Sequence, residues 1–324
     1  MIISNRFWKW CEKTMANENM FHKIINEICE ENDILINYLS KDWVIELTKN
    51  NKTRYICGYK FDSLRHGLGE VFDDKYAMFS LLSSHNIPVI KHFIVYDDDN
   101  NNDYASDCKG IDYVTQLFEK CNRNIVMKAN RGSCGVGVFH ITDQDSLNEK
   151  YEHLLDHRPS FSVCPYMSIQ NEFRAICVGG KIELLYKKTR PQVVGDGKKT
   201  IRELLKEFNN DYFANYESDI SNNVLRDGEV FDFGWKFNLS KGSISSMEIT
   251  NSDKEQIYRI VENIAKIIDL NFCSVDIIKT SDNKFLVMEI NSGVMMKNFV
   301  IQQKNGYGIA KKIYTKAILN MMEN

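Results

Sequence analysis

The hydrophobic and polar positions of this chain fall into two periods. Near the C-terminus, Phe272-Cys-Ser-Val-Asp276-Ile-Ile-Lys279 and Lys284-Phe-Leu-Val-Met-Glu289-Ile-Asn291 are rich in β-branched and apolar residues, which predicts two strands. Ser281-Asp282-Asn283 between them predicts a turn. With Asp282 and Asn283 as its central residues, Asp276 faces Glu289 directly, and Asn291 projects from the same face as Glu289. The flanks Val275, Ile277, Met288 and Ile290 predict a largely buried ladder. The stretch from Asn124 to Ile141 reads as strand, glycine-rich loop, strand. Gly179-Gly180 between two apolar runs predicts a hairpin, with Glu172 and Arg174 sharing one face of its first strand and Phe173 and Ala175 alternating with them. Helical spacing appears in Ala77, Met78, Leu81 and Leu82, after the acidic start Asp73-Asp74 and before a break at Ile87-Pro88 that starts a strand. It appears again in Ile257, Ile260, Val261, Ile264 and Ile268. Capping-box spacing at Thr200–Glu203 and at Ser252–Glu255 predicts two helix starts.

A length of 324 residues suits two or three packed domains rather than one small core. Hydrophobic residues at 43% and charged residues at 26% are ordinary for a soluble globular protein. The net charge of −3 gives no footprint for nucleic acid, and no apolar run is long enough to span a bilayer. The N-terminal Met1-Ile-Ile-Ser-Asn-Arg-Phe lacks the continuous apolar core of a signal peptide. Nine cysteines without C-x-x-C spacing point to free thiols in a reducing cytoplasm. Cys134, in the glycine-rich loop, is read as a small loop filler, and Asp97–Asn102 as a solvated surface tract. The chain is divided into 1–72, 73–163 and 164–324, the first without a motif that carries chemistry.

Two carboxylates opposed across a ladder repel each other unless a cation lies between them. With an amide oxygen from Asn291, they form a hard oxygen donor set suited to Mg²⁺ or Mn²⁺; solvated acids on a surface hairpin are the alternative. Gly132, Gly135 and Gly137 let backbone N–H groups approach an anion, and Lys128 ends the strand before them. No Gly-Lys-Ser/Thr follows and no helix opens, so neither a P-loop nor a dinucleotide fingerprint is present. Glu172, Arg174, Lys188 and Arg190 cluster both signs of charge in one hairpin, which points to a polar ligand site. The loop Phe237–Ser243 is polar and contains a glycine.

In order, these segments resemble the ATP-grasp superfamily of carboxylate–amine ligases, over roughly residues 73–296. The nearest likeness is to the ATP-grasp modules of cyanophycin synthetase and bifunctional glutathione synthetases, and to the ribosomal protein S6 glutamate ligase group. The resemblance implies an α+β fold in which two subdomains, 73–163 and 164–324, grip ATP after a small N-terminal α/β domain. It implies nucleotide-binding roles for Lys75, Lys128 and the loop Arg131, Gly132, Ser133, Gly135 and Gly137. It further implies an adenine hinge at Cys164, Pro165, Tyr166 and Met167, a ribose contact at Glu172, and a role for Asn238 in the N-L-S loop. Asp276, Glu289 and Asn291 match the ligands of Mg²⁺ or Mn²⁺, and Arg174, Lys188 or Arg190 would meet the acyl-phosphate.

The chain departs from the pattern at three places. Arg190 stands where proline is common, Gly234 where an arginine precedes the N-L-S loop, and Met295-Met296 where a small or proline-containing turn is usual. The activity implied is ATP-dependent joining of a small-molecule or peptide carboxylate to an amine, in the cytoplasm, by a homodimer or tetramer, without nucleic acid or membrane. A kinase acting on a hydroxyl and a non-catalytic ATP-binding protein are the alternatives.

Overall fold

The computed structural model describes residues 19–97, 107–132, 137–156, 159–208 and 222–323. Ser133 and Gly135 of the glycine-rich loop, Cys134, and residues 98–102 of the acidic tract lie outside them.

In chain order, α1 (Met20–Glu31) starts at Asn19, whose side chain accepts the Phe21 N–H at 3.2 Å. The meander β1 (Leu35–Leu39), β2 (Val44–Lys49), β3 (Lys52–Cys57) and β4 (Lys60–Phe61) follows, and its strands pair in sequence order. Helices α2 (His66–Asp73) and α3 (Lys75–Ser84) meet at Asp74, which caps α3 by accepting the Ala77 N–H at 2.8 Å. Then come β5 (Phe93–Tyr96), α4 (Gly110–Lys120), β6 (Ile125–Ala129), β7 (Val138–Ile141), α5 (Gln144–Leu155) and β8 (Ser160–Pro165). They are followed by β9 (Ile169–Val178), β10 (Lys181–Lys188), β11 (Gln192–Val194), α6 (Ile201–Phe208), β12 (Val230–Asp232) and β13 (Ser245–Ser246). The chain closes with α7 (Asn251–Ala265), β14 (Phe272–Thr280), β15 (Phe285–Asn291), α8 (Lys297–Gln302) and α9 (Gly306–Glu323).

The described residues divide into two compact units. The larger takes them from Leu35–Lys187, Met247–Met295 and Thr315–Asn324, the smaller from Met1–Ile34, Lys188–Ser246 and Met296–Tyr314. In the larger unit, one antiparallel sheet has the order β5-β8-β6-β7. Its odd-numbered residues Ile125, Met127, Phe161, Val163 and Ile141 are buried with Val114, Leu117 and Phe118 of α4 and Leu147 and Tyr151 of α5. The alternate residues are left on the other face. A second run of strands in this unit has the order β10-β9-β14-β15. One face of it, including Phe173, Ala175, Cys177, Cys273, Val275, Ile277, Val287 and Ile290, packs against the α7 stripe Ile257, Ile260, Val261, Ile264 and Ile268, and against Met78 and Leu82 of α3.

Four local expectations are corrected. The turn between β14 and β15 contains three residues, because Lys279 pairs with Phe285 and the Thr280 N–H donates to the Lys284 carbonyl. A bulge then shifts the register, so Ile277 pairs with Val287 while Asp276 pairs with Glu289. Met288, the extra residue, is half-buried where a largely buried ladder is expected. Helix α7 is capped not by Ser252 but by Thr250, whose hydroxyl accepts the Asp253 N–H at 3.1 Å. After Ile87-Pro88, only Val89 bridges to Val287 before β5 begins at Phe93. Glu183 forms an ion pair with Lys316.

In the smaller unit, β11 and β12 pair antiparallel beside α6 around Val193, Ile201, Leu204, Leu205, Leu225 and Phe233. The capping box at α6 is reciprocal. Glu203 accepts the Thr200 N–H at 2.8 Å, and Thr200 Oγ1 accepts the Glu203 N–H at 3.2 Å. Helix α1 meets the first half of α9 through Phe21 against Tyr314, with ring centroids 5.2 Å apart, and through Lys311 between Glu27 and Glu31.

Candidate functional site

Two of the sheets of the larger unit, β5-β8-β6-β7 and the run β10-β9-β14-β15, carry chemistry on the face that does not enter the core. On β6 and its neighbours, Lys128 lies opposite Val138 and Ser162, and Val126 lies opposite His140 and Cys164. These six residues share one face. Lys128 and Cys164 are buried, and Pro165, Tyr166 and Met167 continue from β8 half-buried. His92, which no sequence pattern singled out, places Nδ1 2.6 Å from Ser162 Oγ in the row of Lys128. It is 1% exposed and its Nε2 has no partner among the described residues. Burial, with the Lys128 and Lys75 charges adding to it, holds this imidazole well below its ordinary pKa, so it is neutral.

The second sheet presents Glu172 and Arg174 on β9, Asp276 on β14, and Glu289 and Asn291 on β15. Arg174 and Glu289 are the two cross-strand partners of Asp276, so cation and acids form one row. Arg174 donates from Nε to Asp276 Oδ1 at 2.7 Å and from Nη2 to Oδ2 at 2.6 Å. Asp276 is 0% exposed, so a bidentate guanidinium compensates a carboxylate removed from water. Burial opposes the Arg174 charge, but Asp276, Tyr186 and Glu289 together outweigh it and keep the group protonated. Asn291 Nδ2 donates to Glu289 Oε1 at 3.1 Å and lies 3.4 Å from Asp276 Oδ2. Glu172 is buried opposite Ile278 on the same face.

The start of α3 joins these two faces. Lys75 is buried at the first residue of the helix, and its ammonium donates to the carbonyls of Gly132 at 3.1 Å and Asn130 at 3.4 Å. Burial lowers its pKa, the Glu289 carboxylate raises it and the Lys128 ammonium lowers it again, so both charges lie within its electrostatic reach. Asn130, also absent from the sequence reading, donates to Asp74 Oδ2 at 2.7 Å and accepts the Tyr76 N–H at 3.1 Å. Arg131 donates to Glu70 Oε2 at 2.6 Å, and Gly137 adopts φ 65° where the loop re-enters β7.

Asp276, Glu289 and Asn291 fit a hard divalent cation. Each Asp276 oxygen has a second lone pair beyond the one Arg174 uses, and a half-turn of the Asn291 amide brings its oxygen to where two carboxylates already converge. Among the described residues no group of three or more His, Cys, Asp or Glu side chains is placed to hold a metal, so the amide is needed to complete the donor set.

The remaining expected residues lie in the smaller unit. Lys188 is buried as the last residue of β10. The Arg190 guanidinium lies 5.6 Å from the Phe237 ring centroid. Asn238 caps the short 3₁₀ turn Leu239–Lys241 by accepting the Ser240 N–H at 2.9 Å, and Gly242 ends it at φ 93°.

The RimK-like ATP-grasp domain family matches residues 222–317. Cyanophycin synthetase from Geminocystis herdmanii (strain PCC 6308) is 26% identical over 252 residues, covering 69% of this chain and 27% of that protein. A D-alanine–D-alanine ligase structure from Bacillus anthracis superposes with a TM-score of 0.52 at 15% identity, covering 78% of this chain and 68% of that one. A bifunctional glutathione synthetase structure from Pasteurella multocida gives a TM-score of 0.50 at 14% identity, covering 88% and 42%. The chain thus resembles an ATP-grasp family over residues 222–317 and has the ATP-grasp fold. The solved structures establish the ATP-grasp fold, and the chain spans about a quarter (27%) of the length of the cyanophycin synthetase it matches. Among the described residues no helix is long and apolar enough to cross a membrane.

Proposed function

We propose that this ATP-grasp chain is an ATP-dependent ligase that joins a small-molecule or peptide carboxylate to an amine through an acyl-phosphate, releasing ADP and phosphate. The observation that carries the reading is the row Arg174–Asp276–Glu289 with Asn291 beside it, together with a buried Lys75 that feels both Glu289 and Lys128. Such a site sets anionic oxygen donors opposite two ammonium groups, as a triphosphate with its counter-cation requires. Asp276, Glu289 and Asn291 would hold Mg²⁺ or Mn²⁺, which when bound offsets charge on the β- and γ-phosphates. Lys75 and Lys128 bind phosphate oxygens, and the loop 131–137, whose residues 133–136 lie outside the described ones, would exclude water from an intermediate that hydrolyses readily.

Cys164, Pro165, Tyr166 and Met167 receive the adenine, and Glu172 the ribose hydroxyls. Arg174, Lys188 and Arg190 are the candidate cations for the acyl-phosphate oxygens, and Asn238 orders the loop that follows Phe237, the ring beneath Arg190. The reaction needs no enzyme nucleophile; positioning and electrostatics do the catalysis. In this reading, 73–163 and 164–324 are the two ATP-grasp subdomains after a 1–72 N-terminal region. The names of the two structural relatives, glutathione synthetase and D-alanine–D-alanine ligase, support amino acids and short peptides as the first substrates to try.

The test is an ADP-release screen over pairs of amino acids and short peptides, followed by Glu289→Gln on the active pair. The variant is expected to lose ADP release by at least about 100-fold. ADP formation at the wild-type rate would sink the cation assignment. A phosphorylated acceptor in place of an amide would replace the ligase by a kinase.

A further inference from the structure

The nucleotide face of the β5-β8-β6-β7 sheet extends past Lys128 to a pair of rings that the ligase reading leaves unused. The row Lys128/Ser162/Val138 is followed by the row Cys164/Val126/His140, about 7 Å further along the strands. Beyond that lies Tyr166, whose N–H donates to the Asn124 carbonyl at 3.0 Å. The His140 and Tyr166 rings stack, with centroids 3.9 Å apart and planes inclined by 16°. Asn124 also accepts, through Oδ1, the His140 Nε2–H at 2.7 Å. One residue therefore holds both members of the stack, the tyrosine by its backbone and the histidine by its ring nitrogen. The next residue, Met167, is half-buried and lies between β8 and β9.

We propose that His140, fixed by Asn124, is a positioning residue that holds Tyr166 as the end wall of the nucleobase pocket, so that the half-buried Tyr166–Met167 backbone meets a purine base at one depth and angle. This rests on the reading of Lys128 as the phosphate lysine and of 164–167 as the base hinge, and it adds the residues that set the hinge. The geometry gives the wall a direction. Phosphates lie at the Lys128 row and the base lies toward Asn124, with Val126 and Cys164 as the apolar floor between them. A tyrosine on an unsupported hinge could rotate away; stacked on an imidazole that is itself hydrogen-bonded, it cannot do so without breaking both contacts. Burial lowers the pKa of the imidazole, which keeps it in the neutral form whose single N–H serves Asn124.

The experiment compares the full chain with His140→Ala and His140→Phe. Affinities for ATP and for inorganic tripolyphosphate, a probe with no base, are measured by calorimetry. His140→Ala is expected to bind ATP about 10-fold more weakly while tripolyphosphate affinity is unchanged, and His140→Phe, which keeps a ring against Tyr166, is expected to stay within about 3-fold of wild type for both. ATP affinity unchanged in His140→Ala overturns the wall. Equal loss of ATP and tripolyphosphate also overturns it, because the histidine then supports the fold and not the base. Failure of the wild-type chain to bind ATP overturns the nucleotide reading and the wall with it, whereas ATP binding that is indifferent to His140 overturns the wall alone.

Discussion

At the scale of single residues, this protein places charge where water has been removed and then compensates it. Asp276 is fully buried, and its neighbours are a guanidinium on one side and a second acid on the other. Without Arg174 that row would leave like charges facing in a low-dielectric site. His92 is handled differently, since burial beside two ammonium groups keeps it neutral. Its folded pKa lies well below the ordinary value of 6.5, so the unfolded chain binds the extra proton first as the pH falls. The stability tied to a neutral His92 is complete above that value and is lost progressively as the pH falls below it. A wild-type chain is expected to lose up to about 1.4 kcal/mol of unfolding free energy per pH unit from this group. Urea unfolding between pH 7 and 5 should show a flatter acid limb for His92→Asn; an unchanged slope would show that the group does not carry the effect.

At the scale of elements, the hairpin β14–β15 shows how a short loop and a bulge cooperate. A three-residue turn alone would set Asp276 opposite Met288 and turn Glu289 to the other face. The extra residue at the bulge restores the alignment of Asp276 with Glu289 while Ile277 still pairs with Val287 on the core side. The turn depends on Asn283, which adopts φ 62°, and on Thr280, whose Oγ1 accepts the Lys284 N–H at 3.1 Å. Asn283→Ala is expected to cost about 1 kcal/mol, because a residue with a methyl side chain pays the left-handed penalty without the local hydrogen bonding of asparagine. Asn283→Gly is expected to be close to neutral. Equilibrium unfolding of the two variants checks this, and an alanine variant as stable as wild type would remove the turn from the account of the register.

At the scale of the whole molecule, the groups read as phosphate- and cation-binding sit on faces that the two core clusters of the larger unit leave bare. Binding to such preformed faces stabilises the folded chain by mass action. ATP with Mg²⁺ at 100 times its dissociation constant is expected to add about 2.7 kcal/mol to the unfolding free energy. Differential scanning calorimetry should record a higher melting temperature with ATP and Mg²⁺, largely lost when EDTA is added. A shift that EDTA leaves intact would separate nucleotide binding from the acid row.

Local periodicity determined a great deal here. The strand periods, the Gly179-Gly180 hairpin, the Thr200–Glu203 box and the isoleucine stripe of α7 follow from contacts within a few residues, and each formed as its spacing required. The face-to-face acids were legible for the same reason, although their alignment depends on a bulge that no spacing announced. Tertiary structure alone decided which distant side chains meet: Arg174 on Asp276, Lys75 on the Asn130 and Gly132 carbonyls, His92 on Ser162, and His140 on Tyr166. Those partners are set by strand order and burial rather than by neighbours in the chain, and an isolated histidine or asparagine gives no local sign of the face it will join.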